Sequence, residues 1–151
     1  MKRVIIVEDE TAAVVNLRSM LSMVVGDYEI VAILESVEES IDFFKGDVDA
    51  DVVFMDIHLA DGDSFHIFRS VDIDIPIIFT TAYDQYALKA FQVNSIDYLL
   101  KPIKEEEVKR AIDKWRLLRG QDVSNYVHRV DTFVAEHKSD RQSFLVRFRD
   151  K

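Results

Sequence analysis

Five short apolar runs constrain this chain more than any other feature: Val4 to Val7, Glu29 to Leu34, Asp51 to Asp56, Pro76 to Thr81 and Ile96 to Leu100. Each has the length of a strand and little polar surface. A strand without a wet face must be covered on both sides, the condition of a parallel sheet packed between helices. The segments between the runs supply those helices. Val14, Leu17, Leu21 and Val24 repeat at helical spacing before Gly26-Asp27 ends the pattern. Ser36 to Lys45 carries Val37, Ile41 and Phe44 on one face, with Ser36 and Glu39 at capping-box spacing. A brief helix is predicted around Ser64 to Ser70, then a loop in which Asp72 and Asp74 alternate with Val71, Ile73 and Ile75. Another follows Ala82 to Asp84, with Ala87, Leu88 and Phe91, and is broken by Asn94-Ser95. Glu105 to Arg119 presents Val108, Ala111, Ile112, Trp115 and Leu118 inward.

Five strand-helix alternations with right-handed crossovers leave few topologies. The common one is a doubly wound α/β fold, a five-stranded parallel sheet of order 2-1-3-4-5. In that order the first, third and fourth strands end side by side, with the fifth beside the fourth. Glu8, Asp9, Asp56, Thr81 and Lys101 are therefore predicted to converge on the C-terminal rim of the sheet, with Asp56 exposed there. Acids at the start of a helix also complement its dipole, and one of Glu8, Asp9 and Glu10 is read as doing only that.

Carboxylates gathered in this way repel one another, by roughly 4 kcal/mol for a pair about 4 Å apart at an effective dielectric near 20. A cation is needed among them. Oxygen ligands without His or Cys side chains favour a hard ion, and Mg2+ asks for only one or two carboxylates plus a carbonyl. Lys101 adds a compact charge suited to a phosphoryl oxygen, and Thr81 a hydroxyl donor. With both cations in place the pocket neutralises a transferring phosphoryl group. Asp56, unlike a Ser or Thr, needs no base to remove a proton before it attacks phosphorus. The chain reads as a phosphoryl acceptor.

Glu8-Asp9, Met55-Asp56, Thr81-Ala82, Tyr98 and Lys101-Pro102 together resemble the motif set of response-regulator receiver domains of two-component signalling, over residues 1 to about 119. The resemblance implies the flavodoxin-like arrangement, phosphorylation of Asp56 by a sensor histidine kinase, and Mg2+ held by Glu8, Asp9, Asp56 and the His58 backbone carbonyl. It implies that Thr81 and Lys101 contact the phosphoryl group, that Thr81 and Tyr98 form the switch, and that the Lys101-Pro102 bond is cis. Such a protein is not an enzyme acting on a separate substrate; it assists its own phosphorylation and dephosphorylation. The wording Phe79 to Asp84, Tyr86 to Phe91 and Ile96 to Pro102 is similar to the LytTR class, whose output domain binds DNA. A receiver serving a phosphorelay without DNA output is the alternative. A haloacid-dehalogenase-like phosphatase would want a second Asp two positions after the first, where His58 stands. A flavodoxin-like cofactor carrier would want a Gly- and hydroxyl-rich first loop, where Glu8-Asp9-Glu10 stands.

Beyond the receiver, residues 120–140 are expected to form a helical linker. Val123, Tyr126, Val127, Val130, Phe133, Val134 and His137 make an apolar stripe that needs a cover, either the receiver core or the same helix of a second chain. A homodimer on phosphorylation is the reading taken here, since paired DNA sites call for paired output domains. Ser143 to Arg149 alternates like the first strand of a LytTR output domain, so 141–151 reads as its truncated beginning, with a disordered or extra-strand tail as the alternative. Residues 1–100 carry 6 basic and 19 acidic side chains, and residues 101–151 carry 13 and 9, so only the latter part suits DNA. The absence of cysteine excludes disulfides and thiolate metal sites and fits a cytoplasmic location. No run of about 18 apolar residues and no cleavable leader suggests membrane insertion or secretion.

Overall fold

The computed structural model describes residues 2–83 and 95–119. Within them lie β1 (Lys2–Val7), α1 (Thr11–Val24), β2 (Tyr28–Leu34), α2 (Val37–Phe44), β3 (Val52–Asp56), β4 (His58–Leu59), β5 (Gly62–Asp63), α3 (Phe65–Ser70), β6 (Ile77–Thr81), β7 (Ser95–Leu100) and α4 (Glu105–Arg119). The five long strands form one parallel sheet of order β2-β1-β3-β6-β7. This is the anticipated 2-1-3-4-5 order once the two-residue β4 and β5, which pair only with each other, are set aside. The helix expected after Asp84, the linker 120–140 and residues 141–151 lie outside the described residues. Among the described residues no helix is long and apolar enough to cross a membrane.

The apolar runs do what their lack of a polar face requires. Ile5, Val7, Val53, Met55, Ile77 and Phe79 point into one core, with Val37 and Phe44 of α2 and Phe65 and Ile67 of α3. Val4, Ile6, Val52, Phe54 and Ile78 point into the other, covered by Leu17 and Leu21 of α1 and by Val108, Ala111, Ile112 and Trp115 of α4. Period-2 alternation therefore sorts buried residues between two dry layers. The edge strand β2 departs from the expectation: only Leu34 is buried, whereas the opposite edge strand β7 keeps four of its six residues buried. Its register skips Val31 between the Val4 and Ile5 pairings, so Val31 and Ala32 both lean toward the α2 side.

Helix ends follow the local chemistry. Gly26, at φ +85°, stops α1 in a left-handed turn that a side chain would strain. Ser36 Oγ accepts from the Glu39 N–H at 3.0 Å, but Glu39 returns its carboxylate to the Glu35 N–H, one residue before the box position. α4 is fastened at two levels. Trp115 Nε1 donates to the Asp51 carbonyl at 2.9 Å beneath β3. Asp97 of β7, 6% exposed, receives Arg110 Nε at 3.1 Å and lies 3.5 Å from Lys114 Nζ. The strands, helices and crossovers thus bring the C-terminal ends of β1, β3, β6 and β7 to one rim.

Candidate metal and phosphoryl site

Sheet register levels the site. Val7 pairs with Met55, Asp56 with Thr80, and Thr81 with Leu100, so Glu8, Asp56, Thr81 and Lys101 all emerge within a residue or two of one line. Lys101 Nζ lies 3.0 Å from Glu8 Oε1, 3.1 Å from Asp56 Oδ2 and 3.8 Å from Glu10 Oε1. The Lys101-Pro102 peptide is cis, as expected. One carboxylate oxygen from each of Glu8, Asp9 and Asp56 lies within 4.8 Å of the others. Asp56 is not exposed, contrary to expectation: it retains 6% of its surface. The His58 N–H, at the start of the β4–β5 hairpin, donates to its Oδ1 at 3.2 Å.

Thr81 and Tyr98 converge on Tyr83. Thr81, fully buried, accepts from the Tyr83 N–H through Oγ1 at 3.3 Å. The half-buried Tyr98 donates its hydroxyl to the Tyr83 carbonyl. The exposed Tyr83 ring meets the His58 ring edge-on, at 5.0 Å between centroids. Tyr83 and His58 border an open cleft of about 300 Å3 lined also by Asp9, Glu10, Asp56, Leu59, Ala60 and Lys101. Tyr83 escaped the sequence reading, since nothing local distinguishes it; Glu10 was read within its acidic run but not as a neighbour of Lys101.

Four carboxylates and one ammonium leave a charge of −3 when all are ionised. Burial pushes the Glu8 carboxyl up to about 7; the Asp56 charge adds to the rise, and the Lys101 ammonium and the Glu10 N–H oppose it. Burial works to lower Lys101, but its hydrogen bond to Glu8 and the charges of Asp56 and Glu8 outweigh that and hold it above its ordinary value. With Glu8 protonated the pocket still carries −2. The all-oxygen donor set fits a hard divalent cation.

A carboxyl raised on folding keeps its proton where the unfolded chain has lost it. Between pH 4.5 and about 7 the folded state therefore holds the extra proton, and stability falls as pH rises through that window before levelling off. At about 1.4 kcal/mol per pH unit, Glu8 costs the metal-free protein on the order of 3 kcal/mol above the window. Glu8→Gln is expected to remove this slope. In urea unfolding with EDTA, the variant should gain on wild type between about pH 5 and pH 8; parallel profiles would refute it.

Comparison with known proteins agrees with this arrangement. Residues 4–113 match the family described as response regulator receiver domain. The chain is 32% identical over 150 residues to the sensory transduction protein LytT of Bacillus anthracis, covering 90% of this chain and 60% of that protein. It is 40% identical over 126 residues to LytT of Enterococcus faecalis, covering 80% of this chain and 50% of that one. The crystal structure of the response regulatory domain of protein mrkE from Klebsiella pneumoniae superposes with a TM-score of 0.68 at 27% identity, over 80% of this chain and 99% of that domain.

Proposed function

Because the chain belongs to the response-regulator receiver family, we propose that it is the phosphoacceptor of a two-component system, charged at Asp56 by a sensor histidine kinase. The observation that carries this reading is the acidic trio Glu8, Asp9 and Asp56 with Lys101 Nζ 3.1 Å from Asp56 Oδ2. An Asp56 carboxylate oxygen attacks phosphorus; the new O–P bond forms as the bond from phosphorus to the donor imidazole breaks, and its electron pair leaves with that nitrogen. Lys101 stands within reach of an oxygen on the incoming group, and the Thr81 hydroxyl is the second donor. Asp9, Asp56 and the His58 carbonyl, with Glu8 behind them, would hold Mg2+, which supplies charge neutralisation on the transferring group. Asp56 itself is only 6% exposed, which limits access by water.

In this reading residues 1–119 are the receiver, 120–140 a helical linker and 141–151 the entry to a LytTR-type DNA-binding domain, in a cytoplasmic transcription regulator. The resemblance to LytT proteins and the charge surplus after residue 100 support that output. Phosphorylation adds about 1.5 to 2 negative charges at pH 7. Thr81 turns from the Tyr83 N–H toward the new oxygens, and Tyr98 follows into the space, changing the β7–α4 surface and favouring a homodimer.

Two measurements test this. With Mg2+ and acetyl phosphate the intact mass is expected to rise by one hydroxylamine-labile phosphoryl group, and EDTA to prevent it; an unchanged mass would overturn the proposal. Thr81→Ala is expected to accept phosphate yet lose the phosphate-dependent rise in mass by light scattering. Assembly equal to wild type would rule out the Thr81 route.

A further inference from the structure

The hairpin that follows Asp56 is tied to α2 by one side chain. Asp61, between β4 and β5, spreads both carboxylate oxygens over the start of that helix: Oδ1 accepts from the Val37 N–H at 2.8 Å and Oδ2 from the Glu38 N–H at 3.1 Å. Two bonds through separate oxygens fix the orientation of the carboxylate as well as its position, and the positive end of the helix favours its charge. These hydrogen bonds hold the Asp61 carboxyl below its usual range. The helix already has a cap of its own in Ser36, which serves a third amide. What Asp61 adds is a clamp on the hairpin.

The hairpin needs one. It has two residue pairs, His58 with Asp63 and Leu59 with Gly62, and turns through Gly62 at φ +142°. So short a ribbon has little rigidity of its own. Its base is held by the Ser64 N–H on the Ile57 carbonyl at 2.8 Å and the Ile57 N–H on the Thr80 carbonyl at 3.0 Å. The far end is held by Asp61. Between these two anchors lie the His58 N–H that bonds Asp56, and the Leu59 and Ala60 wall of the cleft.

We infer that Asp61 is a positioning residue for the cation site: by fastening the β4–β5 hairpin to α2, it holds the His58 backbone and the cleft wall where a divalent ion requires them. The inference rests on the proposed reading of that site as one for Mg2+. The test is calorimetric titration of the full chain with MgCl2 alone. Asp61→Ala is expected to weaken binding about tenfold, within the range that removing outer support from metal ligands costs. Asp61→Asn keeps one oxygen acceptor and is expected to recover part of the loss, leaving it a few-fold weaker than wild type. Ser36→Ala uncaps the same helix without releasing the hairpin, and its affinity should stay within about twofold of wild type.

Equal affinities for wild type and Asp61→Ala would overturn the inference, as would a loss in Ser36→Ala matching that in Asp61→Ala. Should Asp61→Ala melt below the assay temperature, a few-fold loss in Asp61→Asn beside none in Ser36→Ala carries the inference, and equal affinities of those two overturn it. Absence of Mg2+ binding by wild type would sink the reading of the site itself.

Discussion

Asp56→Asn is expected to abolish phosphoryl uptake altogether while leaving the fold intact. The amide matches the carboxylate in shape, and its oxygen still accepts from the His58 N–H that now bonds Asp56 Oδ1 at 3.2 Å. What it lacks is the charged oxygen that attacks phosphorus, and no neighbouring group replaces it at that point on the rim. Two further effects follow. One of three anionic ligands is lost, so Mg2+ binds more weakly. The Asp56 charge is also among the causes that raise Glu8, so the Glu8 carboxyl falls toward its ordinary range. Intact-mass measurement with acetyl phosphate and Mg2+ should show the gain on wild type and none on the variant at any time. A gain on Asp56→Asn would place the acceptor elsewhere, with Asp9 the first residue to test.

The largest effect on stability is expected from Trp115→Ala. The indole is 2% exposed in the layer between α4 and the sheet, its Nε1 donates to the Asp51 carbonyl at 2.9 Å, and Lys2 Nζ lies 5.0 Å above its ring. Removing so large a side chain leaves a cavity and deprives a half-buried carbonyl of its donor, a loss of about 3 to 5 kcal/mol. Against a total of roughly 5 to 15 kcal/mol for a domain, the variant would sit near the edge of folding. Trp115→Phe refills most of the volume but not the hydrogen bond, and should lose about half as much. Urea unfolding followed by circular dichroism measures both, since Trp115 is the chain's single tryptophan. A change below about 1 kcal/mol in Trp115→Ala would mean that the layer closes over the gap.

The sheet was legible because its strands are short apolar runs with little polar surface, and the central ones are buried throughout, a pattern that few folds accommodate. Glu8, Asp9, Asp56 and Lys101 were legible because each ends or follows such a strand, so finding the strands located the rim. What escaped has one cause: contacts made across the fold by residues with unremarkable neighbours in sequence. Asp56 was expected at an open rim, yet it retains 6% of its surface and meets the His58 N–H and Lys101, while β4 and β5, at two residues each, are too short for periodicity to register. Asp61 reads as an ordinary Asp-Gly turn, and its reach to α2, 24 positions away, has no signal in either segment. Asp97 looks like a polar interruption in a strand until α4 brings Arg110 and Lys114 onto it. Tyr83 gains its place only from Thr81, His58 and Tyr98 together.

Lys101 meets Glu8 across 93 positions of chain and Asp56 across 45. During synthesis, therefore, an emerging polypeptide carries Asp56 long before it carries the ammonium that belongs beside it. Until β7 has joined the sheet, the aspartate lacks its counter-charge. The charge balance of the rim is completed only when the last strand of the sheet is in place.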